Sequence, residues 1–402
     1  MTEKDVFNPQ KFIREQVSEI KKVLGEERAI IACSGGVDST TCALLTRKAV
    51  GRNLICVFID TNFMRLNEPT EVVKTLSSPP IELPVKLILS QKRFMEALRG
   101  LEDAEEKRKA FRNTFYSVLR EVAEEEKSQF LVQGTILADI IETVKGIKTQ
   151  HNVLEQMKID TREVYGFKLI EPLVSLYKFQ VREVARCLGI PLDSSERQPF
   201  PGPGLSVRVV GKITQSKLDV EKIANEIVEK NLKKLQPKQY FSATLDSETE
   251  GYSKSGEIEN EIAELLKGKE FSVKVQSLTT KATGIRGGSR LYGKVITVSV
   301  KDKKGKSVEL NRSSLEKIQN IVIKNDANVS RVLYQITDTV KRGMWLIAVR
   351  SVETVDFITA SISEIPMHNL KEMNEQILKS CKDVSAVYYD ITPKPPASIE
   401  FE

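Results

Sequence analysis

Ala29-Ile30-Ile31-Ala32-Cys33-Ser34-Gly35-Gly36-Val37-Asp38-Ser39-Thr40 is the stretch that decides how the first half of this chain folds. It opens on a short apolar run of the kind that forms a buried strand. Two glycines then let backbone N–H groups approach an anion. A helical pattern follows as far as Gly51, so a helix N-terminus points at the same place. Ser34, Ser39 and Thr40 add hydroxyl donors. Asp38 is an acid beside a phosphate site, which makes sense chiefly with a divalent cation between the two. The lysine of G-x-x-x-x-G-K-S/T is missing, so this is not a Walker A loop.

Outward from this loop the pattern repeats. Apolar positions Phe12, Ile13, Val17, Ile20 and Val23-Leu24 recur at helical spacing and close at Gly25. Further apolar runs stand at 54–59, 85–89, 130–132 and 168–170, each separated from the last by enough chain for a helix. That is the signature of a parallel sheet built from strand–helix–strand crossovers. Residues 92–128 read as one long charged helix with Phe94, Leu98, Phe111, Phe115 and Val122 on its apolar side.

The cluster Gln198-Pro199-Phe200-Pro201-Gly202-Pro203-Gly204-Leu205 fits neither helix nor central strand, and a domain boundary is placed there. Beyond it, Leu315-Glu-Lys-Ile318…Val329-Ser-Arg-Val332-Leu-Tyr334-Gln-Ile336-Thr337 matches Leu370-Lys-Glu-Met373…Val384-Ser-Ala-Val387-Tyr-Tyr389-Asp-Ile391-Thr392 at a constant spacing of 55 residues. Each copy follows a β-rich run, so the region reads as two strand–helix–strand units. The expected organisation is a nucleotide-binding domain over 1–205 and a region over 206–402 made of two α+β modules, about 206–340 and 341–402.

Composition narrows the function. At roughly 150 residues per domain, 402 residues allow two or three domains. The chain is 40% apolar and 29% charged, ordinary for a globular protein. No apolar run approaches the roughly 20 residues that span a bilayer, and the N-terminus lacks a signal-peptide pattern. A cytoplasmic protein without a membrane partner is expected. A net charge of +6 leaves no nucleic-acid footprint. The five cysteines form no C-x-x-C, and the two histidines, His151 and His368, exclude a three-histidine metal site.

The loop Ser34–Ser39 after a strand resembles the pyrophosphate loop of the N-type ATP pyrophosphatases. Within that group further stretches resemble GMP synthetase. They are Gln133-Gly134-Thr135-x-x-x-Asp139-x-Ile141-Glu142, Lys148-Thr-Gln-His151-Asn152-Val153 and Glu171-Pro-Leu173…Lys178…Val181-Arg182. The cluster Pro199–Leu205 with Arg208-Val209, and the ending Asp390-Ile-Thr392-Pro-Lys394-Pro-Pro-Ala-Ser398-Ile-Glu400-Phe-Glu402, complete a match in the family's order.

The resemblance implies a parallel-sheet, adenine-nucleotide-hydrolase-like (Rossmann-like) ATP pyrophosphatase domain followed by a duplicated α+β dimerisation-type region. It also implies a two-step reaction. ATP with Mg2+ adenylylates O2 of xanthosine 5′-monophosphate (XMP), and ammonia then displaces AMP to give GMP. Ser34, Gly35, Gly36, Val37, Asp38, Ser39 and Thr40 would bind the phosphates together with Gln133, Gly134 and Thr135. Ala32, Val57 and Ile59 would line the adenine pocket. Asp38 and Asp139 would be the Mg2+-linked acids, and Asp38, Lys178 and Arg182 the catalytic groups. Arg65, Arg290, Lys394, Ser398 and Glu400 would hold XMP, with His151 and Asn152 in a lid. The residues alone leave other roles open. Asp139 is also placed to cap the helix after Gly134-Thr135, and Lys178 with Arg182 to form a solvated helix face.

Several positions depart from the family pattern. The G-D-x-R-x-Y element reads Gly287-Gly288-Ser289-Arg290-Leu291-Tyr292, the histidine before P-F-P-G-P-G is Gln198, and the last aromatic is Phe401. Leu154-Glu155 replaces the glycine pair after H-N-V. Only 33 residues precede the loop, too few for the glutaminase domain that members often carry. The split form is therefore expected, with a separate glutaminase subunit as partner. The doubled region fits either a homodimer or a monomer with an internal pseudo-dimer. The rival readings are a tRNA-thiolating enzyme, which would want paired cysteines and a basic face, and a degenerate nucleotide-binding regulator, which Gly288 would favour.

Overall fold

The computed structural model describes residues 7–144, 166–191, 200–266, 271–355 and 358–402. They form two compact units, one from Met1–Ala97 and Ala110–Gly202, the other from Leu98–Lys109 and Pro203–Glu402. The sequence reading runs the first domain without a break, whereas residues 98–109 cluster with the second unit.

The first unit is a five-stranded parallel sheet of β1 (Ala29–Ala32), β2 (Leu54–Asp60), β3 (Val85–Leu89), β4 (Phe130–Val132) and β5 (Lys168–Ile170), in the order β3-β2-β1-β4-β5. Its helices are α1 (Pro9–Leu24), α2 (Val37–Val50), α3 (Glu68–Ser77), α4 (Gln91–Ala97), α5 (Ala104–Glu125, of which 104–109 belong to the second unit), α6 (Leu137–Val144) and α7 (Lys178–Cys187). β1, and β2 as far as Ile59, are apolar because both faces are covered. α1, α2 and α7 pack against one another, and Ile20, Leu24, Leu45, Cys56, Phe58, Val181 and Val184 share one core. Asn8 caps α1 by accepting from the Lys11 amide at 2.9 Å, and Gly25 closes it at φ +54°. The long helix expected over 92–128 is two helices. Gly100 takes φ +77°, and Asp103 then accepts from the Glu105 and Glu106 amides at 2.9 and 3.0 Å, starting α5 afresh.

The second unit is one mixed sheet. Its elements are α8 (Gln215–Leu232), β6 (Gln239–Asp246), β7 (Thr249–Glu250), α9 (Ser255–Leu265), β8 (Ser272–Arg286), β9 (Ser289–Lys301), α10 (Arg312–Asn325), β10 (Val329–Gln335), β11 (Trp345–Glu353), β12 (Ser361–Ile362), α11 (Met367–Ser380) and β13 (Val384–Asp390). The strand order reads the same from both ends. β6 is antiparallel to β11, which is parallel to β13; β8 is antiparallel to β9, which is parallel to β10; β10 and β13 meet antiparallel in the middle. The helices follow the same symmetry, α8 on β6 and α11, α9 on β8 and α10.

Each module is therefore helix–strand–strand–helix–strand. The inner module is α9-β8-β9-α10-β10. The outer module is α8-β6 joined to β11-α11-β13. α10 and α11 start and end 55 residues apart, as do β10 and β13. The repeated core positions Leu315 and Leu370, Ile318 and Met373, Val332 and Val387, Tyr334 and Tyr389 are all buried. The modules are nested, the inner one inserted between β6 and β11 of the outer. A cut near 340 separates only their second halves, because the first helix and strand of the outer module lie at 215–246. No helix of the described residues is long and apolar enough to cross a membrane.

Candidate active site

In the first unit the strand order reverses direction between β1 and β4. The loops that leave the C-terminal ends of those two strands start at this switch point. Ser34–Gly36 leaves β1, and Gln133–Thr135 leaves β4. Gly35 takes φ +76°, and a Cβ on it would stand 2.8 Å from Val72 Cγ1. Gly36 begins α2 with no side chain capping the helix, so its first amides keep their capacity for an anion. The Ser34 and Ser39 hydroxyls stand 3.1 Å apart, and Ser39 Oγ and Thr40 Oγ1 donate to the Gly36 carbonyl at 3.1 and 2.9 Å.

The second loop lies directly on the first. A Cβ on Gly134 would meet the Ser39 amide nitrogen at 3.1 Å and Asp38 Cβ at 3.3 Å, so only glycine fits there without displacement. Thr135 Oγ1 bonds the Glu171 carboxylate, tying in the segment that leads to α7. Lys178, the first residue of α7, donates to Asp38 Oδ2 at 2.6 Å. Arg182 follows one turn later on the same helix face. Three separated segments thus converge on the start of α2.

Two polar groups here have no protein partner among the described residues: Asp38 Oδ1, and both side-chain atoms of the buried Gln133. Buried polar atoms are nearly always satisfied, so such a cluster marks a place built for a ligand.

The other candidate residues are placed as follows. Asp139 Oδ2 accepts from the Ile136 amide at 3.1 Å, so its carboxylate caps α6. Ala32 pairs with Val57 across β1 and β2, and Val57 and Ile59 are buried in the sheet. Arg65 is held by Glu68 at 3.1 Å, its guanidinium 4.1 Å over the Phe200 ring. His151, Asn152, Leu154, Glu155 and Gln198 lie outside the described residues. Cys33 is buried, its thiol pushed up by a hydrogen bond with Cys56 and by burial, which suits packing rather than nucleophilic attack.

In the second unit Arg290 ion-pairs with Glu105, beside a hairpin turn in which Gly287 and Gly288 take φ +55° and +80°. The C-terminal residues pack onto this unit, Ser398 and Glu400 half-buried, Phe401 and Glu402 buried. Ser398 Oγ donates to the Thr283 carbonyl at 2.8 Å and accepts from Arg331 at 3.0 Å. Glu400 takes a two-point contact from Arg208 at 3.0 and 3.1 Å, and Arg208 stacks on Phe241 at 4.0 Å. Phe401 is fully buried, and Glu402 bonds Lys107 and the Gly211 amide. Lys394 bridges by backbone to Ala360.

Sequence reasoning missed the three arginines at the centre of this unit, Arg208, Arg331 and Arg350. They head the largest fully buried side chains among the described residues. Arg208 stands in a quoted motif, but burial and partners depend on contacts far apart in the chain. Asp60 was also missed. It is buried at the end of β2, accepting from Gln91 at 2.7 Å and from the Asn62 amide at 3.0 Å.

Comparison with known proteins agrees with both units. A family model described as PP-loop domain matches residues 9–197, and one described as GMP synthase C terminal domain matches 340–401. A subunit of the glutamine-hydrolyzing GMP synthase of Sulfurisphaera tokodaii is 43% identical over 396 residues, 98% of this chain and all of that protein. The subunit of the same name from Saccharolobus solfataricus is 40% identical over 398 residues, and that from Methanopyrus kandleri 37% over 400, each covering 99% of this chain and all of the relative. The chain belongs to this family of glutamine-hydrolyzing GMP synthase subunits.

Proposed function

We propose that this chain makes GMP from XMP, ATP and ammonia. XMP O2 attacks the α-phosphorus of ATP, a new P–O bond forms, and the bond to pyrophosphate breaks. Ammonia then adds at C2, the C2–O bond breaks, AMP leaves with that oxygen, and a proton is lost. The observation that carries this reading is the convergence of Ser34–Ser39, Gln133–Thr135 and Lys178 at the point where the sheet order reverses, in a chain that belongs to this family along its whole length.

The residues act by position and charge. The α2 amides and the Ser34 and Ser39 hydroxyls cradle the departing pyrophosphate. Lys178 and Arg182 offset charge building on the phosphates. Asp38 orients Lys178 through Oδ2. Its Oδ1, left without a protein partner, suits Mg2+, which usually takes one or two carboxylates and otherwise phosphate oxygens. Mg2+ supplies charge neutralisation at the phosphates when bound.

Lys394, Ser398, Glu400, Arg290 and Arg65 hold XMP in this reading, Lys394 at the 5′-phosphate, and His151 and Asn152 belong to the lid. Ammonia comes from a separate glutaminase subunit, and the reaction runs in the cytoplasm. The test is purified protein with ATP, Mg2+, XMP and ammonium, following AMP. XMP-dependent AMP release with loss of XMP is expected, and its failure would overturn the reading. Glutamine should replace ammonium only when a second protein is added.

A further inference from the structure

Along the repeated strand, Val329–Thr337 against Val384–Thr392, three positions differ, 331/386, 333/388 and 335/390, and the first and last of these complement each other. Arg331 of the inner module corresponds to Ala386 of the outer, while Asp390 of the outer module corresponds to Gln335 of the inner. Their neighbours match, Val332 with Val387, Tyr334 with Tyr389 and Thr337 with Thr392, all buried. β10 and β13 pair with Tyr334 opposite Tyr389, so the local twofold axis passes there and relates the pair Leu333–Asp390 to Tyr388–Gln335. One side of the axis carries Arg331 with Asp390. The other carries Ala386 with Gln335.

The chain also diverges after the repeats. Thr337 leads through Asp338-Thr339-Val340 towards β11, whereas Thr392 leads into Pro393-Lys394-Pro395-Pro396-Ala397-Ser398-Ile399-Glu400-Phe401-Glu402. The outer module alone ends in this tail, and the tail crosses onto the inner module. The Ile285 and Thr283 amides of β8 donate to the Pro396 and Phe401 carbonyls at 2.6 and 2.7 Å. Arg331 is the hub of the contact. It donates to Asp390 Oδ2 at 2.8 Å, to Ser398 Oγ at 3.0 Å, to the Thr283 carbonyl at 3.3 Å and to the Glu400 carbonyl, with its guanidinium 4.3 Å from the Phe401 ring. A planar fork with five N–H donors can hold strand, tail and acid at once; a lysine ammonium is a point charge on a flexible stem. Arg350 of β11 shares Asp390 at 3.1 Å and donates to the Thr392 and Ser398 carbonyls.

We propose that Arg331 is a positioning residue for XMP: the inner module, which has no tail, supplies the arginine that fixes the tail of the outer module, so each chain builds one XMP site from two modules. The inference rests on the reading that Lys394, Ser398 and Glu400 hold XMP. Ala386 follows from the same asymmetry, since the inner module sends no tail to the mirror position.

The test compares wild type with Arg331→Lys and, separately, Gly284→Ala. The lysine keeps a cation opposite Asp390 but cannot span the tail. The alanine Cβ would stand 2.6 Å from the Pro396 carbonyl and 2.9 Å from Ser330 Cβ, pushing the tail off β8 and pressing on β10. In both, KM for XMP should rise about tenfold or more, with KM for ATP and kcat at saturating XMP changed by no more than about twofold. Exchange of the Thr283 and Ile285 amides should quicken. Unchanged KM for XMP in an active, folded Arg331→Lys protein would overturn the proposal, as would KM for both substrates rising together. If the lysine variant does not fold, Gly284→Ala decides the same question by the same readings. Calorimetric titration of wild type should find one XMP per chain; two would contradict the asymmetry. Wild type that binds no XMP, or releases no XMP-dependent AMP, would instead remove the reading on which the proposal rests.

Discussion

The loop at the start of α2 and the tail at the C-terminus both carry polar residues of the kind that bind nucleotides, but the fold treats them in opposite ways. At the loop, α2 begins without a side-chain cap, and Asp38 Oδ1 and the Gln133 side-chain Oε1 and Nε2 have no protein partner among the described residues. In the tail, Ser398, Glu400 and Glu402 are each engaged by the fold, and Phe401 lies in the core. Unsatisfied groups make a site that stability does not need. Satisfied ones make a site that doubles as structure, so substitutions there should act on folding and on function together.

The sharpest way to break this contrast is Phe401→Ala. A fully buried phenylalanine cut to alanine should cost about 3–5 kcal/mol, read as a lower midpoint in urea. A midpoint near that of wild type would show that the tail is not part of the core. Asp38→Ala should behave in the opposite manner. AMP release should fall by a factor of about 100 to 1,000, while stability stays within about 0.5 kcal/mol, because the Asp38–Lys178 pair is partly exposed. Activity close to wild type would remove Asp38 from the site.

An effect that shows only as pH changes concerns Glu221, whose carboxylate is buried beside the tail anchor. Burial pushes it up to about 8, against the lowering influence of the Thr244 and Ser242 hydroxyls and of Arg208. Between the ordinary value of 4.5 and 8 the folded chain holds a proton that the unfolded chain releases, so this group's contribution to stability is lost as pH rises through that window. Glu221→Gln should flatten the decline of stability between pH 5 and about 8. An equal slope in variant and wild type would place the Glu221 carboxyl back in the ordinary range.

Much of the first unit was legible in the sequence because its signals are local. Five apolar runs became five strands, and Ser34-Gly35-Gly36 reads as a phosphate loop from residue types and spacing alone. The repeat was legible because Val-Ser and Ile-Thr kept their register. Its nesting was not: Ile223-x-Asn225-Glu226-Ile227-x-Glu229 of α8 does match Ile258-x-Asn260-Glu261-Ile262-x-Glu264 of α9, but at a spacing of 35 rather than 55, and the pairing of β6 with β11 is what joins α8-β6 to the outer module. The break at Gly100 hid inside a charged helical pattern. Asp139 shows how two roles share one spacing, an acid three residues into a helix being also a capping residue. Arg331 escaped notice because it reads as one more charge on a strand until the tail, 67 residues further to Ser398, folds over it.

The central claim is that ATP at the loop activates O2 of XMP. It is tested most directly with XMP labelled with 18O at O2, ATP, Mg2+ and ammonium, and mass analysis of the nucleotide products. The label should appear in AMP and be missing from GMP. Label found in pyrophosphate, phosphate or water, with unlabelled AMP, would contradict adenylylation at O2.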